Sequence, residues 1–229
     1  MDFLPTLNSP VHKDYFLTSG DKIRVFFEPE DIGSAGASEP GWRGVDKIGH
    51  ALHDLDPMFD GFSRDPRLAR ICRQVGMADP LLLQSMVIFK QAQTGGEINN
   101  HQDATWLYTE PSSVLGFWFA LEDATIDNGC MWAQPGGHRT TLRSRFRRKD
   151  TGGTEFQVFD DTPFDLEDMI PLEAKKGACI VLDGLLPHYS LPNTSGRSRQ
   201  AYTIHTIDGK AHYPEQNWLQ RNKSDLSCI

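Results

Sequence analysis

The sequence predicts a mainly β protein with peripheral helices, built as a double-sheet, antiparallel jelly roll. After Pro80 the chain consists of short apolar or alternating runs separated by turn residues, and no helical pattern lies between them. A parallel α/β fold would need such helices, so it is disfavoured. The length of 229 residues, of which 38% are hydrophobic, suffices for one domain with a sizeable core. We expect one domain over 1–229, with a helical and loop part at about 1–78 and the jelly-roll core at 79–210.

Helices are expected in the N-terminal part. Asp65 and Pro66 provide an N-cap and a first-turn residue for a helix that ends before Gly76. Its apolar side chains recur at i, i+3, i+4 and i+7: Leu68, Ile71, Cys72 and Val75. A second helix is expected over 48–55, because apolar residues recur there at helical spacing until Pro57 stops the pattern.

Six strands are expected after the helices, and several are rich in β-branched or aromatic residues. Turn residues such as those at 127–129 and 193–196 separate them. The six runs are 81–89, 114–122, 129–134, 155–159, 178–183 and 199–207. The stretch 28–44 is rich in Gly, Pro, Ser and Ala, and we expect it to be a loop.

Composition excludes several functional classes. The chain has 23 Lys and Arg against 31 Asp and Glu, a formal charge of −8, which works against nucleic acid or anionic membrane as a partner. Its apolar runs are far shorter than the ~20 residues of a membrane span. The four cysteines lack the spacing of a zinc knuckle, and the N-terminus lacks a secretory pattern. An intracellular, cytoplasmic protein with reduced thiols is therefore expected.

A candidate metal site begins at His101 and Asp103. At a strand start, side chains at i and i+2 point to one face, so the imidazole and the carboxylate could converge on one ion. The spacing alone is weak evidence, because a second match occurs at 12–14 in polar chain near the N-terminus. We interpret that second match as incidental.

A third candidate ligand makes the pair of His101 and Asp103 more significant than its spacing alone. His188 follows a buried-strand pattern at 177–184, and it completes a set of two histidines and one carboxylate. That set is typical of non-haem Fe(II) and leaves coordination positions open for a chelating cosubstrate and O₂. Arg199, eleven residues further on, could pair bidentately with the far carboxylate of a dicarboxylic acid.

Longer blocks between residues 14 and 219 carry a family resemblance. They are DKIGHALH at 46–53, QSM at 84–86 with FKQ at 89–91, HQD at 101–103 with LYTEP at 107–111, EDAT at 122–125 with NGC at 128–130, PGGH at 135–138 and RSRQAY at 197–202. Through these blocks the chain resembles the phytanoyl-CoA dioxygenase family of Fe(II)/2-oxoglutarate-dependent oxygenases. They are far more specific than the spacing of three ligands.

The resemblance implies a double-stranded β-helix of the jelly-roll type and a role for seven residues. Iron would be held by the catalytic triad of His101, Asp103 and His188, and 2-oxoglutarate chiefly by Arg199. Three further residues match family positions that line the 2-oxoglutarate pocket: Lys47, Met86 and Trp118. Sequence alone favours a solvated helix lysine for Lys47 and plain core packing for Met86 and Trp118. His205 shares strand parity with Arg199 and is a further candidate pocket residue.

The expected activity is that of a dioxygenase using Fe(II), 2-oxoglutarate and O₂ to hydroxylate a small organic or lipid-like substrate, with succinate and CO₂ as co-products. Two alternatives stay open: a cupin-like metalloenzyme of another type, such as a zinc hydrolase or isomerase, and a non-catalytic jelly-roll binding protein. A basic segment from Arg139 to Lys149 could attract the phosphates of an acyl-CoA, or it could be a solvated loop or helix face. Relatives of this type usually begin earlier, so the N-terminus looks short for the family.

Overall fold

The computed structural model describes residues 10–28, 44–221 and 226–229, which form two facing antiparallel sheets and a separate hairpin. The larger sheet has the order β1-β2-β3-β12-β5-β10: Ile23–Phe27 (β1), Val45–His50 (β2), Pro80–Lys90 (β3), Arg199–Asp208 (β12), Leu115–Ala120 (β5) and Cys179–Asp183 (β10). The smaller sheet has the order β4-β11-β6-β9: Ile98–His101 (β4), His188–Ser190 (β11), Met131–Ala133 (β6) and Ile170–Leu172 (β9). The hairpin pairs Ser144–Arg148 (β7) with Thr154–Val158 (β8). The predicted mainly β jelly roll is confirmed.

Helices occupy the periphery. Within the described ranges they are Pro10–Leu17 (α1), Leu52–Leu55 (α2), Pro57–Ser63 (α3) and Pro66–Gln74 (α4). The helix α4 is the one predicted from its cap, and the Asp65 carboxylate accepts a hydrogen bond from the Arg67 main-chain N–H at 2.9 Å. No helix in these ranges has the length and apolar character needed to cross a bilayer.

The helix expected over 48–55 is wrong in its first half. Ile48 lies in β2, where it pairs with Val25 of β1 and Val87 of β3, and only 52–55 is helical. The hydrogen bonds from two neighbouring strands outweigh a local apolar spacing that fits either structure. The N-terminal part at 1–78 therefore contributes two strands, β1 and β2, to the larger sheet.

All six predicted strands are present, as β3, β5, β6, β8, β10 and β12. The structure adds six that were not predicted, namely β1, β2, β4, β7, β9 and β11. These six have between three and six residues each, and most residues of β4, β7 and β11 are polar, so those three lack the apolar or alternating pattern that indicates a strand. Most of the predicted loop 28–44 lies outside the described residues.

The central strand β12 separates the helical core from a cavity between the sheets. Tyr202 and Ile204 belong to the apolar cluster that packs under α4. Arg199, Thr203 and His205 point to the opposite face and line the cavity. This is the period-2 alternation of a strand, and it ends at a register shift directly after His205. The larger sheet therefore presents polar side chains to the smaller one at a defined place.

Candidate metal centre

The three predicted metal ligands come together between the two sheets. His101 ends β4, His188 begins β11, and the two residues are direct partners in the antiparallel ladder. Asp103 follows on a 3₁₀ turn, Asp103–Thr105. One candidate ligand atom from each residue lies within 4.8 Å of the other two. The residues converge as expected, but through a different geometry, because the chain turns after His101 instead of continuing as a strand.

Both histidines present the same nitrogen to the shared centre. Nδ1 of His101 lies 2.8 Å from the Asn99 carbonyl oxygen, and Nδ1 of His188 lies 2.9 Å from the Leu186 carbonyl oxygen. A carbonyl oxygen only accepts hydrogen bonds, so each Nδ1 carries a proton, and Nε2 is the nitrogen that faces the shared centre. The two Nε2 atoms lie 3.6 and 3.7 Å from the same Asp103 oxygen, Oδ1.

The charge state of the cluster suits metal binding. Burial opposes ionisation of Asp103, but the neighbouring histidines outweigh it and hold the pKa of this carboxyl well below its usual range. Burial, reinforced by His101, lowers the pKa of His188 to about 4, so this imidazole is neutral at physiological pH. Burial opposes protonation of His101, but the Asp103 carboxylate outweighs it and raises the pKa of this imidazole. An ion that displaces the proton from His101 Nε2 would meet two imidazole nitrogens and one carboxylate oxygen, a donor set that fits Fe(II).

The residue between the ligands fixes their direction. Gln102 is fully buried, and its amide nitrogen donates to the carbonyl oxygens of Thr141 and Leu185 at 3.2 and 2.8 Å. Its side-chain oxygen accepts from the Arg143 main-chain N–H at 3.0 Å. These bonds anchor the middle of the tripeptide away from the centre, so the flanking side chains face it.

Arg199 carries a buried charge with no ion-pair partner among the described residues. The side chain is 1% exposed, and its Nε and Nη2 atoms make no hydrogen bond to any described residue. Its guanidinium lies 5.5 Å from the centre of the Trp118 ring. Burial lowers its pKa to about 10, which still leaves the group charged at neutral pH. A buried unpaired cation is costly, so this position is suited to an anionic ligand.

The seven site residues predicted from sequence line one cavity of about 770 Å³. Besides the triad and Arg199, these are Lys47, Met86 and Trp118. Lys47 lies on β2, not on a helix, and its Nζ is 3.4 Å from Asp46 Oδ2. Met86 pairs in register with Thr203 across β3 and β12, and Trp118 pairs with Thr203 from the other side. The inner face of the larger sheet therefore forms one wall of the cavity.

Aromatic rings form much of the remaining wall. Trp106 contacts Phe146 of β7 and Phe156 of β8, with ring centroids 5.0 and 5.6 Å apart. Phe16 of α1 and Trp218 stack with centroids 4.2 Å apart. Four of these rings line the cavity, and we call them the aromatic wall: Phe16, Trp106, Phe156 and Trp218.

Within the basic segment at 139–149, residues 144–148 form β7 and not a helix face, whereas Arg139 and Lys149 at its two ends are exposed and lie outside this strand. Arg145 is buried and donates from Nη2 to Asn217 Oδ1 at 2.9 Å. Arg148 donates from Nε and Nη2 to the Trp218 carbonyl oxygen at 3.0 and 2.8 Å. Both cations therefore bind the chain's own C-terminal part.

Two site residues had only faint sequence signals. His205 was a candidate through its parity with Arg199, and its Nε2 lies 3.3 Å from Asp103 Oδ2. Gly116 was not singled out, although a glycine inside an aromatic strand is itself a signal of close approach. A Cβ at position 116 would lie 3.2 Å from Asp103 Oδ2, so glycine leaves room for the carboxylate.

Solved structures share this fold. A non-haem α-ketoglutarate-dependent carbocyclase from nogalamycin biosynthesis, SnoK, superposes with a TM-score of 0.62 at 19% identity, over 93% of this chain and 81% of its own. EvdO2 of Micromonospora carbonacea var. aurantiaca, determined in complex with 2-oxoglutarate, superposes with a TM-score of 0.56 at 19% identity. That match covers 96% of this chain and 100% of EvdO2.

Sequence relatives are much closer. A phytanoyl-CoA dioxygenase domain-containing protein 1 homolog from Dictyostelium discoideum is 42% identical over 215 residues, covering 92% of this chain and 76% of that protein. A phytanoyl-CoA dioxygenase from Arabidopsis thaliana is 40% identical over 212 residues, covering 92% of this chain and 74% of its own. The profile of the phytanoyl-CoA dioxygenase (PhyH) family matches residues 6–201. The chain therefore belongs to the phytanoyl-CoA dioxygenase family.

Proposed function

We propose that this protein is an Fe(II)- and 2-oxoglutarate-dependent dioxygenase that hydroxylates a small organic or lipid-like substrate. The observation that carries the proposal is one cavity lined both by three candidate metal ligands and by a buried arginine that has no ion-pair partner among the described residues. Membership of the phytanoyl-CoA dioxygenase family supports it.

Each part of the cavity has a role in this proposal. His101 and His188 would bind Fe(II) through Nε2, and Asp103 would bind it through Oδ1. Three protein ligands leave coordination positions open, which a closed four-ligand structural site would not. When bound, Fe(II) and 2-oxoglutarate supply the oxidising power for C–H hydroxylation with O₂, and succinate and CO₂ are released.

The protein's own contribution is to hold the cosubstrate and to exclude water. Arg199 would pair with the far carboxylate of 2-oxoglutarate, and Lys47 would supply a second positive charge. Met86 and Trp118 would keep that part of the cavity dry, which strengthens the charge pairing.

The aromatic wall points to a substrate with an apolar body, because aromatic rings bury apolar surface well and offer few hydrogen bonds. An acyl-CoA would also need cations for its phosphates. Arg145 and Arg148 are already engaged with Asn217 and the Trp218 carbonyl. We therefore favour an apolar substrate without a nucleotide, and acyl-CoA is the competing case.

The direct test is anaerobic titration of the protein with Fe(II) and 2-oxoglutarate, followed by visible absorbance. We expect a charge-transfer band that disappears in His101→Ala and in Asp103→Ala, and that persists in the control His212→Ala, whose side chain is exposed. Full absorbance and full turnover in both ligand variants would refute the proposal. Zinc on metal analysis, with no dependence on 2-oxoglutarate, would support the cupin-like alternative instead.

Substrate class is tested by succinate formation with matched compounds. The rate of succinate formation would be compared in the presence of free lipid acids, their acyl-CoA esters and small amines. The baseline is the rate at which 2-oxoglutarate is consumed without any of these compounds. We expect stimulation by apolar compounds that lack the nucleotide. Stimulation by the acyl-CoA esters alone would contradict this preference without contradicting the dioxygenase activity.

A further inference from the structure

We propose that His205 is a positioning residue for the metal centre, and this inference depends on the proposed function. Its role would be to hold the second oxygen of Asp103, so that the carboxylate offers a single oxygen to the ion. The geometry divides the two oxygens between different neighbours. Oδ1 lies 3.6 and 3.7 Å from Nε2 of His101 and His188, whereas Oδ2 lies 3.3 Å from Nε2 of His205.

The chemistry of the pair sets the proton position. An ionised carboxylate only accepts hydrogen bonds, so Nε2 of His205 must be the N–H donor. The opposite tautomer would direct a lone pair at Asp103 Oδ2 and leave a buried, unpaired N–H at Nδ1. Nδ1 of His205 is buried without a partner among the described residues. His205 therefore donates towards Asp103 through Nε2, whereas His101 and His188 donate to carbonyl oxygens through Nδ1.

The surrounding strands hold this contact in place. His205 pairs in register with Gly116 of β5 and with Gln84 of β3. A Cβ at position 116 would lie 3.2 Å from Asp103 Oδ2 and 3.5 Å from Cδ2 of His205. The glycine thus leaves a space in which the imidazole and the carboxylate meet, and the two side chains are only 9% and 10% exposed.

This arrangement has a consequence for the open coordination positions. A carboxylate that used both oxygens would occupy one more position on the ion, at the expense of the cosubstrate or O₂. Hydrogen bonds to the outer side of metal ligands commonly change metal affinity 10- to 100-fold. By holding Oδ2, His205 would keep Asp103 in the single-oxygen mode that the reaction requires.

The test uses Co(II) as a spectroscopic probe in the intact protein. His205→Leu removes the donor, and His205→Gln keeps an N–H that can reach a carboxylate. We expect His205→Leu to weaken Co(II) binding about 10- to 100-fold and to change the visible Co(II) spectrum, which reports coordination number. His205→Gln should restore most of the affinity and the spectrum, and His212→Leu should match the unmodified protein.

Each outcome decides the question. Identical Co(II) affinity and spectrum in His205→Leu would overturn the positioning role. Equal damage in His205→Leu and His205→Gln, with thermal unfolding unchanged, would point to direct ligation by His205 and would also overturn it. Failure of the unmodified protein to bind Co(II) or Fe(II) would contradict the proposed function itself, which separates the two proposals. If His205→Leu does not fold, the comparison of His205→Gln with His205→Asn, whose amide is one methylene shorter, decides by the same criteria.

Discussion

Arg199 is held in the fold at a cost to stability, because its buried guanidinium has two nitrogens without partners in the described part of the chain. Replacing a buried unpaired charge by an apolar side chain of similar length is neutral or stabilising. We therefore expect Arg199→Met to leave the melting temperature unchanged or to raise it. Hydrogen bonds to charged groups contribute about 1.5–3 kcal/mol, so the same variant should bind 2-oxoglutarate roughly 10- to 150-fold more weakly.

The measurements are thermal unfolding and calorimetric titration with 2-oxoglutarate in the presence of metal. Arg197→Met is the matched control, since Arg197 is exposed on the segment just before β12. A drop of several degrees in the melting temperature, with unchanged 2-oxoglutarate binding, would show that Arg199 has a structural role instead.

Sequence could identify the chemistry-bearing residues of the site but not how they are held. The triad and Arg199 stand out because histidine, carboxylate and guanidinium side chains limit the reactions a cavity can support, whereas Lys47 was indicated only by the family resemblance. Gln102 and Gly116 act through hydrogen bonds and empty space, which depend on where the chain turns and which strands become neighbours. That information appears only when the register of the strands is known.

The strand β7 shows how a charged element can be structural. Arg148 donates to the carbonyl oxygens of Trp218 and Leu17, whereas Arg147 pairs with Glu155 on the neighbouring strand in a half-exposed ion pair. Loss of Arg148 leaves carbonyl groups without donors, at about 1–3 kcal/mol, while a surface pair contributes about 0–1 kcal/mol. We expect Arg148→Met to destabilise the protein clearly more than Arg147→Met, as measured by urea unfolding.

Measuring acyl-CoA binding to the same two variants distinguishes a structural role of β7 from a role in binding phosphates. If the basic segment recognised phosphates, both variants would weaken acyl-CoA binding in a salt-dependent way. Equal stability of the two variants, combined with such weakening, would mean that β7 is a binding surface and not a packing element.

Helices and strands whose own sequence contains a cap, an apolar spacing or an apolar run could be predicted. Short strands that form only because they pair with neighbouring strands could not. The helix α4 carries its own cap and apolar spacing, so it could be recognised without knowing its neighbours. The strands β4 and β11 have four and three residues, and their strand character comes from pairing with each other and with β6. The turn after β4 that places Asp103 depends on the same pairing.

The whole molecule should be sensitive to mild acid because it buries neutral histidines outside the metal cluster. Burial, together with Lys47, lowers the pKa of His50 to about 3, and burial lowers the pKa of His53 to about 4. Between these values and the unfolded value of 6.5, the unfolded chain binds more protons than the folded one, so stability falls as the pH is lowered.

The expected size follows from about 1.36 kcal/mol per pKa unit. Lowering the pH from 7.5 to 5 should cost about 2 kcal/mol for each of His50 and His53. In His50→Gln the pH dependence of urea unfolding should be shallower by about 2 kcal/mol over this range, and in His212→Gln it should be unchanged. If the free energy of unfolding depended on pH identically in His50→Gln and in the unmodified protein, buried neutral His50 could not be a source of the acid sensitivity.

His101 and His188 pair directly across β4 and β11. Metal binding therefore stabilises one register of these two strands over the others. A slip of one residue between these strands would turn one imidazole to the opposite face of the sheet, and the shared centre would be lost. A bound ion would therefore favour only the correctly paired chain, by about 2.7 kcal/mol when free metal exceeds its dissociation constant a hundredfold. Metal supply during folding, and not only during turnover, would then set the fraction of chains that become competent enzyme.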